Sequence, residues 1–214
     1  MIKYSDLSLG QIEAIGNKLG GMDGIRRLLA DELVVTEKLV TFERNEYGHV
    51  VLTFTGLDLT GAAEVERLHN GGNLMSDYAK SCFLSTKKDS YDKRHRLVAG
   101  QTYRVALMPG REIERGSDRT TEALRRRGME RYGYGKPLAG LVPRIREVLS
   151  DERMKELDIW YVAALHEPIT DSDGYPGVLY SYRDDGGGWV FAGWGRPVDQ
   201  WYGFGSFAFQ VVAS

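Results

Sequence analysis

Ile159-Trp160-Tyr161-Val162-Ala163-Ala164-Leu165 is the stretch on which the fold turns. It is almost wholly apolar, mixes aromatic with β-branched residues, and is too short for a buried helix. It reads as a central strand covered on both faces. Beyond it, Thr170-Asp171-Ser172-Asp173-Gly174 has turn chemistry. Val178, Tyr180 and Tyr182 then alternate with Leu179, Ser181 and Arg183. Asp184-Asp185-Gly186-Gly187-Gly188 turns the chain, Trp189-Val190-Phe191-Ala192 returns it, and Phe207, Phe209 and Val211 alternate again. Residues 159–212 therefore read as an antiparallel meander.

Upstream the pattern is mixed. Ser8 with Gln11 forms a capping box ahead of Leu9, Ile12, Ile15 and Leu19 at helical spacing, and Gly20-Gly21 supplies the stop. Asp23 can cap a second short helix carrying Ile25, Leu28 and Leu29. The result is a helical hairpin over residues 8–32, a module assigned to residues 1–36. It reads as a docking or packing element rather than a helix-turn-helix DNA reader, because its second helix is short and the module is acidic. Residues 49–55 read as a strand, and Thr60 as the cap of a helix ended by Gly71-Gly72. Residues 83–86 look extended. Residues 96–98 and 102–107 read as a hairpin around Ala99-Gly100-Gln101. Ser117 or Asp118 can cap a helix over 119–132. Pro137 suits a first helical position before the apolar stripe of Leu138, Leu141, Val142, Ile145, Val148 and Leu149, which Pro143 interrupts. Ser150 starts one more helix. The expected fold is α+β: the hairpin, then a domain over 45–214 closing in an aromatic sheet over 159–212.

The 214 residues, 42 % hydrophobic and 27 % charged, are those of a globular chain able to bury a core. No apolar run approaches the roughly 18 residues of a membrane span, and Met1 to Gly10 do not read as a signal peptide. Cys82 is the sole cysteine, which excludes an internal disulfide and a multi-thiolate zinc site. Beside Phe83 it reads as a buried structural thiol, and cytoplasmic residence is expected. The net charge of -2 is unevenly spread. Residues 1–86 carry 8 Lys/Arg against 12 Asp/Glu, residues 87–155 carry 18 against 10, and residues 156–214 carry 2 against 8. The basic middle is expected to be neutralised within the fold or solvated. Nucleic-acid association through it is an alternative that a pI of about 6.1 disfavours.

Candidate sites follow from residue chemistry. All four tryptophans, 160, 189, 194 and 201, lie in the last 55 residues. Trp189, Trp194, Trp201 and Tyr202 interleave with glycines, which let a ligand approach flat apolar faces, and Arg196 adds a donor fork. A small sheet using its aromatics as core is the competing reading. Gly135 and Lys136, ahead of a helix, could perch an anion. A nucleotide-binding P-loop is excluded, because Glu130 stands where glycine is needed and Pro137 where Ser or Thr is needed. His95 and His166, with Asp89 or Asp92, would support hydrolytic or metal chemistry if the fold brought them together. Asp171 to Gly174 departs from a calcium loop in length and ligands, so a tight turn is expected. No cofactor and no metal site is implied.

Two resemblances add to this. Phe83-Leu84-Ser85-Thr86 followed by Glu112-Ile113-Glu114 resembles the strand-borne Ser-Thr and Glu-x-Glu elements of ADP-ribosyltransferases. That likeness implies an NAD-consuming transferase using Ser85 and Glu114. The segments Asn17 to Met22, His166 to Gly174, Asp184 to Trp189, Gly195-Arg196-Pro197 and Trp201 resemble a group of proteins of uncultivated small-genome bacteria. This second likeness implies a shared helical hairpin and a shared aromatic β end, and it implies no activity. The leading expectation is a non-enzymatic protein that binds a protein or small ligand through its aromatic C-terminal sheet, with no membrane partner.

Overall fold

Every residue of the central strand is buried, and both of its edges are hydrogen-bonded. The computed structural model describes residues 8–33, 42–184 and 186–212, without the side chains of Ala14, Lys18 and Trp194. The chain divides into two compact units, Met1–Thr41 and Phe42–Ser214.

In the first unit α1 (Leu9–Lys18) starts at the Ser8 capping box, with both reciprocal hydrogen bonds formed. Helix α2 (Gly21–Leu29) begins two residues before Asp23, which sits in its first turn instead of capping it. Gly20, at φ 91°, makes the turn between them.

The second unit is built on one mixed sheet. Its strands are β1 (Glu43–Arg44), β2 (Val50–Thr55), β3 (Leu74–Met75), β4 (Thr102–Pro109), β5 (Tyr161–Ala164), β6 (Ile169–Thr170), β7 (Pro176–Asp184), β8 (Gly187–Trp194) and β9 (Gly205–Gln210). They lie in the order β1-β2-β4-β9-β5-β7-β8-β3, with β6 beside β7. The helices are α3 (Gly61–Asn70), α4 (Asp77–Phe83), α5 (Tyr91–Arg94), α6 (Thr121–Arg126), α7 (Leu141–Val148) and α8 (Asp151–Glu156). A π-helical turn, Arg127–Arg131, extends α6. The class is α+β, and among the described residues no helix is long and apolar enough to cross a membrane.

Alternation along the strands sorts side chains onto two faces. Val162 and Ala164, with Leu179, Val190, Ala208, Val105 and Leu107, join the helix-borne Leu68, Phe83, Leu141, Ile145 and Met154 in the larger core. Tyr161 and Ala163, with Val178, Tyr180, Phe207, Phe209, Ala106 and Met108, form a smaller aromatic core closed by Leu124, Tyr134 and Trp201.

Several local expectations change. β5, β7 and β8 make the expected antiparallel run, but β9 leaves it and inserts between β4 and β5, parallel to β5. Burial drives this, since Phe207 and Phe209 fill the aromatic core while Ala208 enters the other. Residues 96–98 make no strand. β4 instead pairs with β2, Val50 opposite Leu107, about fifty residues upstream. Residues 83–86 end α4 rather than extending. Thr120, not Ser117 or Asp118, caps α6. Helix α7 begins at Leu141 rather than Pro137, which places Pro143 in the first turn, where its missing N–H costs nothing. Cys82 is fully buried, and burial, aided by Asp171, pushes its thiol up to about 12.

Gly205 is opposite Tyr161 in the β5–β9 register. A Cβ there would lie 2.0 Å from the Tyr161 ring. Gly205→Ala is therefore expected to lower unfolding free energy by about 1–3 kcal/mol through overpacking. Urea denaturation of the variant measures this, and an unchanged midpoint would mean that Tyr161 swings aside freely.

Candidate functional site

The loop that runs from β8 into β9 folds back over the aromatic face of the sheet. Its anchor is Trp201, which is 3 % exposed. The Trp201 indole N–H donates to Thr121 Oγ1 at 2.8 Å, and its backbone N–H donates to the Arg119 carbonyl at 2.9 Å. Tyr161 Oη donates to the Tyr202 carbonyl at 2.8 Å, tying the loop to β5. Between loop and sheet lies a pocket of about 160 Å³ lined by Tyr161, Tyr180, Tyr182, Trp201, Tyr202 and Phe204. Its rings meet at steep angles: Tyr161 and Tyr180 at 68°, Tyr180 and Trp201 at 88°, Tyr161 and Phe204 at 83°, with centroids 5.8–5.9 Å apart. Tyr202, 60 % exposed, and Phe204, 48 % exposed, stack at 7° as the outer wall.

Of the expected aromatic residues, Trp201 and Tyr202 thus meet in this pocket. Trp189 is half-buried and stacks on Phe191, which stacks on Tyr180, so it continues the aromatic face next to the pocket. Trp194 ends β8 opposite Gly177. Arg196 is turned back on its own loop, where Asp199 Oδ1 pairs with it at 2.9 Å. Phe204 belongs to the aromatic and glycine run Trp201-Tyr202-Gly203-Phe204-Gly205, whereas Tyr161, Tyr180 and Tyr182 read in sequence only as strand residues. For Tyr180 and Tyr182 the signal was their alternation in β7.

His95 and His166 do come together, with ring centroids 4.8 Å apart. Leu179 N–H donates to His166 Nε2 at 2.9 Å, which leaves Nδ1–H to donate to the Glu167 carbonyl at 2.6 Å. Both nitrogens are spent on backbone. Burial, then His95, holds the His166 pKa well below the usual imidazole range, so the ring is a neutral pin rather than a base. Ala139 N–H donates to His95 Nδ1 at 3.5 Å. Burial and Arg94 lower the His95 pKa to about 4. Asp92 is elsewhere, its Oδ1 accepting from Gly61 N–H at 2.7 Å. Asp89 accepts instead from Thr170 Oγ1 at 2.6 Å. Ser85 Oγ donates to the Thr170 carbonyl at 2.5 Å, while Glu114 is exposed on the loop after β4. Neither Ser85 nor Glu114 is on a strand, so the transferase-like elements lack the setting that the resemblance implies.

Gly135 N–H donates to the Gln210 carbonyl at 2.8 Å, and Lys136 Nζ pairs with Glu167 at 3.1 Å. With α7 starting at Leu141, neither residue is at a helix N-terminus. Asp171 Oδ1 accepts from the N–H groups of Asp173 and Tyr175, the expected tight turn. The basic middle meets the acidic flanks through Arg96–Asp58, Arg104–Glu43, Arg111–Asp158 and Arg125–Glu167.

One polar cluster had no sequence signature. His49 Nε2 donates to Glu112 Oε1 at 2.5 Å, and Glu112 Oε2 accepts from Tyr132 Oη and from Arg127 Nε at 3.2 Å. His49 Nδ1 and Tyr134 Oη share a 2.6 Å hydrogen bond. Burial opposes ionisation of Glu112, but the hydrogen bonds from His49 and Tyr132 prevail and hold its pKa at about 2. The cluster ties the start of β2 to the ends of β4 and of the π-helical turn.

Comparison with protein-family models, curated proteins and solved structures finds no match.

The two clusters give acid lability in separate windows. A depressed histidine pKa contributes stability above about 6.5 that is lost as pH falls toward about 4, up to roughly 3 kcal/mol for His95. A depressed carboxyl pKa contributes stability above about 4.5 that is lost toward about 2. His95→Gln is expected to lessen the slope in the first window, which His166 shares, and Glu112→Gln to flatten the second. Urea unfolding at stepped pH checks both, and a slope unchanged by the matching substitution would refute that assignment.

Proposed function

We propose that this is a non-enzymatic binding protein whose C-terminal sheet takes a compact organic group of a small ligand into the aromatic pocket. The observation that carries this reading is the six-ring lining of Tyr161, Tyr180, Tyr182, Trp201, Tyr202 and Phe204 around about 160 Å³. A cavity of about 150 Å³ accommodates a benzene-sized group, so the pocket suits one such group rather than an extended chain. Deep walls come from the core of the sheet, and the outer wall comes from exposed rings. Rigid aromatic anchors of this kind supply much contact area at low entropic cost.

The state of His166 supports binding over hydrolysis, because it has no nitrogen left for proton transfer. The four arginines of the basic middle that pair with acids of the flanks support internal neutralisation over a polyanion surface.

Benzyl alcohol titrated into the full chain is expected to shift the amide resonances of Tyr182, Gly203 and Gly205 and to perturb tryptophan fluorescence. Tyr202→Ala is expected to weaken it by about 1 kcal/mol, roughly fivefold, without unfolding the chain. Resonance shifts spread over the surface, or none at these amides, would end this reading.

A further inference from the structure

We infer that the group received by the aromatic pocket is an alkylated ammonium, such as a trimethylammonium head. This inference rests on the binding reading above and specifies its ligand class.

Among the described residues the lining contains no Asp, Glu, Lys or Arg. An anion would find no countercharge there and would face the electron-rich surfaces of the rings. A cation is attracted by the same surfaces, and desolvated aromatic cages are a general means of holding quaternary ammonium groups. Ring geometry favours a compact guest. Tyr180 meets Tyr161 at 68° and Trp201 at 88°, and Phe204 meets Tyr161 at 83°, while the Tyr202–Phe204 pair, stacked at 7°, stands as one outer wall. A roughly spherical head group touches several walls at once. The pocket of about 160 Å³ has room for one.

Two neighbouring arginines already have partners of their own. The guanidinium of Arg119, behind Gly203, is turned onto the carbonyls of Ile113 at 2.7 Å and Glu114 at 3.0 Å. A neighbouring indole already holds a cation by its face, with Arg183 Cζ 4.2 Å from the Trp160 ring centroid.

The test uses the full chain and two probes of one shape: choline, and 3,3-dimethylbutan-1-ol, in which carbon replaces the charged nitrogen. Tryptophan fluorescence and calorimetry read both affinities. Choline is expected to bind about tenfold tighter than the neutral alcohol, within the range of a desolvated cation–π contact. Tyr202→Leu and Phe204→Leu, both on exposed rings, are expected to weaken choline about tenfold at an unchanged melting temperature. Equal binding of the two probes would overturn the ammonium assignment and leave the pocket as a site for neutral groups. Choline binding that neither substitution weakens would place the cation elsewhere and overturn the assignment too. Failure of both probes to bind, with no response to benzyl alcohol either, would remove the binding reading itself.

Discussion

Tyr161 has to fit a bulky ring onto a strand that is bonded on both edges and covered on both faces. The fold accommodates it by placing Gly205 directly across the β5–β9 pairing, so that the ring lies where any side chain on β9 would stand. The phenol oxygen then reaches the Tyr202 carbonyl and draws the preceding loop over the sheet. Loop closure and the floor of the aromatic pocket follow from this one steric arrangement. Insertion of β9 beside β5 is what makes it available, because a simple meander would put Gly205 on the far side of β8.

The two faces of the sheet are finished differently. One is sealed by helices carrying aliphatic side chains, with Leu141, Ile145 and Met154 fully buried against β5 and its neighbours. The other is closed by α6, Tyr134 and the Trp201 loop, and its core is mostly rings. Aliphatic side chains interdigitate to native density with few voids. Large flat rings crossing at steep angles leave a concavity at their open end, and that is where the pocket lies. The unevenness of charge along the chain has a similar spatial resolution. Arginines of the middle third reach carboxylates from both flanking thirds, so segments of opposite sign become neighbours on one surface.

Much of the secondary structure was legible because its causes are local. Ser8, Thr60 and Ser150 cap helices through their own hydroxyls, and residues 178–183 carry the period of a strand, whose successive side chains enter the two cores in turn. Errors arose where a distant partner decided. Residues 96–98 have strand composition, yet β4 finds β2 instead, and residues 83–86 lose an extended form to the end of α4. In the site, the crowding of tryptophans was visible, but not that Trp201 would be an anchor while Tyr202 and Phe204 would form the outer wall. The His95–His166 meeting could be imagined from sequence. That Leu179 and Glu167 backbone groups consume both nitrogens of His166 could not. His49, Glu112 and Tyr132 are separated by dozens of residues and share no motif, so their cluster had no signal to read.

The amino-acid order by itself determined the α+β class, the central apolar strand, the caps at Ser8, Thr60 and Ser150 and the aromatic richness of the C-terminal segment, because each depends on neighbours within a few positions. Only the tertiary structure decided the place of β9, the fate of the histidines and which rings face solvent. Those outcomes depend on which side chains compete for the same buried volume and which backbone groups remain unpaired when the chain closes on itself.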